Sequence, residues 1–531
     1  MNRRSLTVGA LLPGRRPAPV AVLAAVLASL LTFNPYPYDH VVSRWALVRS
    51  VVDDGTTVID RYSAFTSDRA VWEGHSYSDK SALLSLACVP PALVLESLGI
   101  GRAHTIPLGL FDPARYVCER LLVSGSLLLL LLLLARRTSR EGIDPLPAVA
   151  AAGLGSIMLP YSTVLYSHVP AAAMLFAGYS LQQEGRFRAS DACCALASAM
   201  DYTVLLLYTV LVLFRPRSWW KPSGILAAVL MTAAAFAPQM AYNSTCFGSP
   251  FRMGYALEAS EAFAALHTGF FGFTAPDAGR FLFLLASPER GLLFYMPWIA
   301  AGIAGLVSRT GAGRIRIDPG LVMTAVYVVL YSALHTRTQG WAFGPRYLIP
   351  VIPFAALGLS RFAERGSRAR WAAAFLLIPG VIQTFLGLLG EMHLPVHPVE
   401  QAVPLPQVTI SLRMLLDGHH STWIADLPGV VLLVAATTLV VATLFRGSRF
   451  APAALLSIPM LLSPALSSRS ASQGWGGKMD YYRGVLAEHR MEYALAAGYF
   501  TKAAQDPAAP ALVGELAEEM RILSGSPAGP E

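Results

Sequence analysis

The sequence predicts an all-α polytopic membrane protein, and three observations predict it. Of its 531 residues, 54% are hydrophobic and only 14% charged, against roughly 25% charged in an ordinary soluble domain. Apolar runs that approach the about 20 residues a spanning helix needs follow one another along the chain. The arginines between them gather in short connections, the pattern that marks the cytoplasmic side of a membrane. A formal net charge of +8 does not point to nucleic acid, because the basic residues are scattered between spans and form no continuous face with interleaved aromatics.

Taken in order, the chain opens with a basic tail over residues 1–18 that carries Arg3, Arg4, Arg15 and Arg16. The apolar run 20–33 follows. Its end, Thr32-Phe33-Asn34-Pro35-Tyr36, offers no small-x-small cleavage site, so it reads as an uncleaved first span with the arginines in the cytoplasm. Arginine-rich connections at 136–140, 186–188, 215–221, 309–316, 361–370 and 446–449 are assigned to the same side. Between them lie outer segments at 39–113, 161–170, a turn near Asp201, 242–290, 335–346, 391–427, and everything after 467. This alternation requires about 13 spans, with the N-terminus inside and the C-terminus outside. Residues 81–98 nearly reach spanning length but contain Pro90 and Pro91. A span there would invert Arg136 and Arg137, so the segment is read as a re-entrant or interfacial helix in the outer leaflet. The expected organisation is a cytoplasmic tail (1–18), a transmembrane domain (19–469) with its first outer loop at 36–113, and a small helical outer-side tail (470–531). Tyr499, Ala503 and Asp506-Pro507 faintly suggest one tetratricopeptide unit, but a lone repeat cannot bury its own face.

Residues 39–80 are the most charge-dense stretch, with Asp39, Arg44, Arg49, Asp53, Asp54, Asp60, Arg61, Asp68, Arg69, Glu73, His75, Asp79 and Lys80. Ionisable groups beside bilayer-embedded helices are costly unless solvated, paired or used. Within this loop Val41, Trp45, Val48 and Val52 recur at helical spacing, and Gly55 supplies a stop. The spacing predicts an amphipathic helix over 41–54 lying on the membrane surface, with Asp39 just ahead of its first turn. The five cysteines, Cys88, Cys118, Cys193, Cys194 and Cys246, have no metal-ligand spacing and read as small core residues. Asn243-Ser244-Thr245 matches a glycosylation acceptor, and no P-loop, dinucleotide fingerprint or zinc motif stands in its required context.

Three motifs carry a resemblance. Asp39 precedes Ser43-Arg44-Trp45-Ala46; Tyr77-Ser78-Asp79-Lys80-Ser81-Ala82-Leu83 closes the loop; and Gly344-Pro345-Arg346-Tyr347-Leu348-Ile349-Pro350 comes late in the chain. Over roughly residues 20–470 the order and spacing resemble the GT-C class of integral-membrane glycosyltransferases, specifically the protein mannosyltransferase and aminoarabinose transferase branch (glycosyltransferase family 39-like). The resemblance implies a GT-C-like fold and transfer of a hexosyl or pentosyl group from a polyprenyl-phosphate-linked sugar donor. The acceptor is a glycan, lipid or protein at the periplasmic face of a cell inner membrane.

Under that resemblance Asp39 is the expected base that takes the acceptor's proton, while Lys80 and Arg346 stabilise the departing phosphate. The competing reading of Asp39 is a helix cap, that of Lys80 a snorkelling interfacial lysine, and that of Arg346 an outer anchor or structural salt bridge. Arg44, Asp68, His75, Tyr77, Asp79, His168 and Asp201 are substrate-binding candidates. Asp68 and Asp79, with Glu73 and His75, also have the donor types to hold a divalent cation (Mg or Mn), although Asx turns are the preferred account of both aspartates. In Tyr166-Ser167-His168-Val169-Pro170, His168 stands where relatives of the resembled family often carry an acid. The Pro-Pro-Leu pattern that follows the lysine there is Ser81-Ala82-Leu83 here. Asp201 reads as a surface turn or as part of the site. A transporter or flippase of a lipid-linked saccharide is the alternative function, with a scaffold acting through its outer tail as a third; the former favours ionisable groups near the midplane and repeated halves.

Overall fold

A computed structural model describes residues 17–389 except 35, 102–103, 108–110, 261–263, 265–269, 271, 310–313 and 336–342; residue 411; and residues 478–525 except 490–491, 508 and 510. The expected outer segment 391–427 (save residue 411), the connection 446–449 and most of the N-terminal tail lie outside the described residues.

The chain is mainly helical. Its helices are α1 (Pro17–Leu31), α2 (Asp39–Asp54), α3 (Ala82–Ser97), α4 (Pro113–Arg140), α5 (Leu146–Gly153), α6 (Met158–Tyr161), α7 (His168–Gln183), α8 (Phe187–Met200), α9 (Val204–Leu213) and α10 (Pro222–Phe247). They continue as α11 (Ala278–Ala286), α12 (Leu292–Tyr295), α13 (Trp298–Gly305), α14 (Pro319–Ser332), α15 (Ile352–Ala363), α16 (Ser367–Leu389), α17 (Lys478–His489), α18 (Tyr493–Ala504) and α19 (Ala511–Leu523). The all-α expectation misses two antiparallel hairpins, β1 (Ala70–Trp72) with β2 (His75–Tyr77), and β3 (Val307–Arg309) with β4 (Ile315–Ile317). The first hairpin turns on Glu73 (φ 51°) and Gly74 (φ 85°), the paired positive φ values of a two-residue turn whose twist matches the strands.

Three helices among the described residues, α4, α10 and α16, are long and apolar enough to cross a membrane. α1, α3, α9 and α14 are apolar but shorter, so the expected count of spans is not reached there. Several expected spans are broken: one divides into α5 and α6 around Gly155, another into α12 and α13 at Pro297. α3 runs on through Pro90 and Pro91 and packs against α2 and α10. At 16 residues its length is about 24 Å, short of the about 30 Å of a hydrocarbon core.

Among the described residues, the arginine-rich connections around 136–140, 186–188 and 361–370 meet at one end of the bundle. Glu184 faces Arg136 (4.0 Å) and pairs with Arg140, which brings the connection 136–140 beside 186–188. Glu141 receives Arg361 at 2.7 Å and Arg137 at 2.8 Å. Arg361 also reaches Asp318 at 2.8 Å, and Arg365 donates to the Ala304 and Val307 carbonyls at 2.6 and 2.7 Å. The charged first outer loop sits with α2, α3 and the helix ends at Ser167, Asp201 and Arg346.

The predicted helix over 41–54 forms two residues earlier than its apolar pattern begins, as α2, and Gly55 ends it in the left-handed region (φ 64°). Its expected free polar face is largely covered, with Asp54 left exposed at its end. Every residue from Val41 to Ser50 is buried, because the polar side finds partners far along the chain. Trp45 Nε1 donates to Asp112 Oδ2 at 2.9 Å. Arg49, 1% exposed, pairs with Asp53 at 2.6 Å and Glu96 at 3.3 Å. The cysteines match expectation: all five are free and four are buried. Asn243 does not act as an exposed acceptor; it is buried and donates to the Pro250 carbonyl at 3.1 Å. The tail forms three helices around its own core of Tyr481, Val485, Phe500, Val513, Leu516 and Met520.

The buried Arg49–Asp53 pair yields a stability prediction. Arg49→Leu leaves the Asp53 carboxylate buried without its cation, a loss of about 3–5 kcal/mol. Thermal melting in detergent should show a marked drop for Arg49→Leu and partial recovery in Arg49→Leu/Asp53→Leu. Equal melting of wild type and the single variant would show that the pair contributes little.

Candidate active site in the first outer loop

Lys80 follows β2 and immediately precedes the Ser81 that starts α3. Its ammonium is buried and pairs with both Asp68 and Asp79. Asp79 Oδ1 also accepts from Ser43 Oγ of α2 at 3.3 Å, and the ring of Tyr255 lies 5.3 Å from the Lys80 nitrogen. A third acid, Glu258, shares a hydrogen bond with Asp79. Asp68, Asp79 and Glu258 each offer a carboxylate oxygen within 4.8 Å of the others. Burial and then Asp68 push the Asp79 carboxyl above its ordinary range; burial and then Asp79 do the same to Glu258. Burial works against the Lys80 ammonium, yet Asp68 and Asp79 hold it well above the ordinary lysine value. The arrangement overturns the Asx-turn account of both aspartates, since their carboxylates serve Lys80 while Thr66 Oγ1 closes the local turn onto the Asp68 N–H at 3.1 Å. It also overturns the snorkelling account of Lys80. Gly254 rests against the Asp79 backbone so closely that a Cβ would meet the Asp79 Cα at 2.7 Å.

Asp39 is the first residue of α2, but its side chain does not cap the helix; Tyr38 occupies the cap without a side-chain hydrogen bond. Asp39 Oδ2 instead accepts from Ser67 Oγ at 2.6 Å, and its carbonyl accepts from Thr66 Oγ1 at 3.0 Å. Half-buried beside Asp68, it is held above the ordinary aspartate range by burial first and Asp68 next, against the Ser67 hydrogen bond and the Lys80 charge. The adjacent His40 was not among the sequence candidates. Its Nδ1 lies 3.6 Å from Asp68 Oδ2, and its Nε2 accepts from Arg44 Nε at 3.3 Å. Burial, then Lys80, Arg44 and Arg346, push the imidazole pKa well down, so His40 is neutral at pH 7. Arg44 ties the loop to the bundle by donating to the Ser81 carbonyl at 2.8 Å and to Ser167 Oγ at 3.4 Å.

The second half of the site comes from α7, α8 and the 3₁₀ turn Arg346–Val351. His168, the first residue of α7, meets Asp201, the residue that ends α8, with Nδ1 to Oδ2 at 3.0 Å. Thr203 Oγ1 donates to Asp201 Oδ1 at 2.7 Å and joins the hydroxyls of Tyr327 (2.6 Å) and Tyr331 (3.0 Å). Arg346 donates to the Tyr166 hydroxyl at 3.2 Å and the Tyr347 hydroxyl at 3.0 Å. Among the described residues its Nε has no hydrogen-bond partner and no carboxylate pairs with it. The halves join through stacked rings: His40 on Tyr166 with centroids 4.2 Å apart at 4°, Tyr166 and Tyr347 each beside His168 at 5.9 and 5.7 Å. Asp39, Lys80, His168 and Arg346 therefore belong to one connected group.

Two candidates fall outside it. His75 pairs with Asp60 at 2.7 Å on an exposed rim, and Tyr77 packs edge-on against Phe247, because the hairpin register turns both away from Lys80. Glu73 occupies the hairpin turn. Sequence reasoning also missed Tyr166, Tyr255, Glu258 and Tyr347. Tyr347 follows Arg346 directly and Tyr166 stands two residues before His168, whereas nothing near Glu258 in the sequence signals its return to Asp79.

No family model matches the sequence, and no curated protein matches it. Two solved structures are similar to the chain: ArnT from Cupriavidus metallidurans bound to undecaprenyl phosphate, at 15% identity and a TM-score of 0.46 over 92% of this chain and 80% of that one, and the same protein in the apo state, at 15% identity and a TM-score of 0.47 over 92% and 79%.

The acid cluster predicts a pH-dependent stability effect. Glu258 has a folded pKa above its unfolded one, so the stability present at low pH is lost as pH rises from the unfolded value toward the folded one. Gln cannot ionise, so Glu258→Gln should melt progressively higher than wild type between pH 5 and pH 9, by roughly 2–4 °C at the upper end. A constant difference across that range would place Glu258 in a water-like setting.

Proposed function

We propose that the chain is a membrane glycosyltransferase of the inner membrane that moves a sugar from a polyprenyl-phosphate carrier to an acceptor at the periplasmic face. One observation supports it above the rest: Arg346 presents a guanidinium with no carboxylate partner among the described residues, in the same group of side chains as a half-buried Asp39 whose proton affinity is raised. A cation available to an anion and a carboxylate suited to take a proton are the two requirements of an inverting displacement at a phosphate-bound sugar. The motif resemblance of the sequence agrees in its assignment of these residues.

In this reading Asp39 accepts the acceptor's proton as the bond to the anomeric carbon forms. Arg346 takes the phosphate released as the old bond breaks, and its planar donors suit two phosphate oxygens at once. Lys80 is secondary, because an incoming phosphate competes with Asp68 and Asp79 for it. His168 and Asp201 form a polar pair beside Tyr347 that can hold a sugar hydroxyl. Asp68, Asp79 and Glu258 have the oxygen donors a divalent cation prefers, and such an ion supplies charge neutralisation for the phosphate when bound.

Asp39→Asn should lower transfer by about 10²–10⁴-fold, the range of general-base catalysis, in a protein that still melts cooperatively; retained turnover removes Asp39 as the base. Because the Asp39 pKa is raised, wild-type activity should fall on acidification at a pH above that of a free aspartate. Arg346→Gln should weaken polyprenyl-phosphate binding more than Lys80→Ala does, read by titration in detergent. Treatment with a chelator followed by Mg²⁺ or Mn²⁺ decides the cation: unaltered activity after chelation excludes it. A transporter of the same lipid predicts flipping without sugar transfer and indifference to Asp39→Asn.

A further inference from the structure

At the arginine-rich end of the bundle, away from the outer-loop site, a cavity of about 470 Å³ is lined by Gly185, Arg186, Arg188, Asp191, Trp219 and Ser223 among others. Two long helices begin in its wall. α8 starts after Arg186 and α10 after Lys221, and neither has a side-chain cap; the two helices pack together. The first intrahelical bond of α8 is Ser190 N–H to the Arg186 carbonyl at 3.0 Å, whereas α10 opens on Pro222 and its Gly224 and Ile225 N–H groups already donate to the Lys221 carbonyl; the positive ends of both helix dipoles reach this space. Arg186 and Arg188 are exposed in its wall, and Lys221 is exposed beside it.

Arg215, 5% exposed, does not line the cavity but contacts three residues that do. Its Nη2 pairs with Asp191 at 2.7 Å and its Nε donates to Gln182 Oε1 at 2.7 Å. Its Nη1 has no partner among the described residues. The guanidinium lies 4.3 Å from the Trp219 ring and 5.6 Å from Phe187, both wall residues. Asp191 is the acid in the wall and Arg215 neutralises it, so the remaining charge of Arg186 and Arg188 stays positive.

The setting separates a lipid from a soluble anion. α10 leaves the cavity with its apolar side chains uncovered: Leu226, Val229 and Leu230 are 56%, 58% and 59% exposed, on a helix long enough to span a bilayer. Trp219 and Trp220 sit at its foot, the position of interfacial aromatics. A ligand with an anionic head and an apolar tail matches both surfaces together. We infer that this cavity is a binding site for the phosphate headgroup of an anionic phospholipid, whose acyl chains lie along α10.

The test uses the full-length chain in detergent micelles doped with phosphatidylglycerol, with zwitterionic phosphatidylcholine and inorganic phosphate as separate arms, read by native mass spectrometry and thermal shift. Phosphatidylglycerol should be retained and should raise the melting temperature saturably. Arg186→Ala/Arg188→Ala should weaken that binding by about 30-fold, two basic residues' worth of attraction to an anionic headgroup. Ser223→Glu should abolish it by repulsion; an acid in the first turn of α10 favours the helix, so misfolding does not account for the loss. Equal retention of phosphatidylcholine, equal protection by inorganic phosphate alone, or undiminished phosphatidylglycerol binding by both variants would overturn the inference.

Discussion

The pairing of one buried lysine with two aspartates fixes the geometry on which the candidate site depends. Asp68 comes from the loop ahead of β1, Asp79 and Lys80 from the end of β2, and Ser43, Tyr255 and Glu258 close around them from α2 and the segment after α10. Removing a charge from water costs several kcal/mol per ion unless partners compensate. Three separate segments are thereby held to one another at the mouth of the bundle. Gly254, which admits no Cβ against Asp79, shows how closely the last of them is pressed on. The hairpin is short because its task is to deliver Asp79 and Lys80 to this point, and its side chains on the far side, His75 and Tyr77, are free for rim and core contacts.

Local features of the sequence carried much of the fold. Val41, Trp45, Val48 and Val52 gave a helix, and Gly55 ended it in the conformation glycine favours. Clustered arginines gave connections, and those around 136–140, 186–188 and 361–370 gather at one end. What local pattern lacked was partners. The polar face of α2 looks solvent-exposed to any periodicity argument, because Asp112 and Glu96, which cover Trp45 and Arg49, lie 67 and 47 residues away. Asp68 and Asp79 sit in stretches rich in turn formers, so a turn was the economical account until Lys80 Nζ stood between them. Long apolar runs promised unbroken spans, yet Gly155 and Pro297 divide two of them, since a break in a run is set by neighbours as much as by composition.

The same reasoning explains which site residues were visible. His168, Asp201 and Arg346 are polar groups set against apolar sequence, and Asp39 and Lys80 bound the most charge-dense stretch of the chain; each anomaly is itself a signal. His40 and Glu258 are ordinary residues in polar stretches and acquire meaning only by what returns to them: Asp68 and Arg44 for the first, Asp79 for the second. The joining of the two halves through His40 stacked on Tyr166 is a contact across 126 residues of chain, which the sequence does not announce.

The charge balance of the two cations bears on how such a site would act. Lys80 is matched by two carboxylates, and Glu258 adds a third acid whose ionisation is suppressed by burial and by Asp79; the neighbourhood of Lys80 is therefore neutral or negative, and a phosphate approaching it meets repulsion before attraction. Arg346 donates to the hydroxyls of Tyr166 and Tyr347 rather than to a carboxylate, and nothing among the described residues cancels its charge. Coulomb attraction at an effective dielectric near 20 is about 4 kcal/mol at 4 Å, so an anion gains most at the uncancelled cation. The lysine cluster also acts on Asp39, after burial and the Ser67 hydrogen bond. Asp68 raises the proton affinity of Asp39 while Lys80 opposes it, and any ligand that draws Lys80 away from Asp68 strengthens the raising influence.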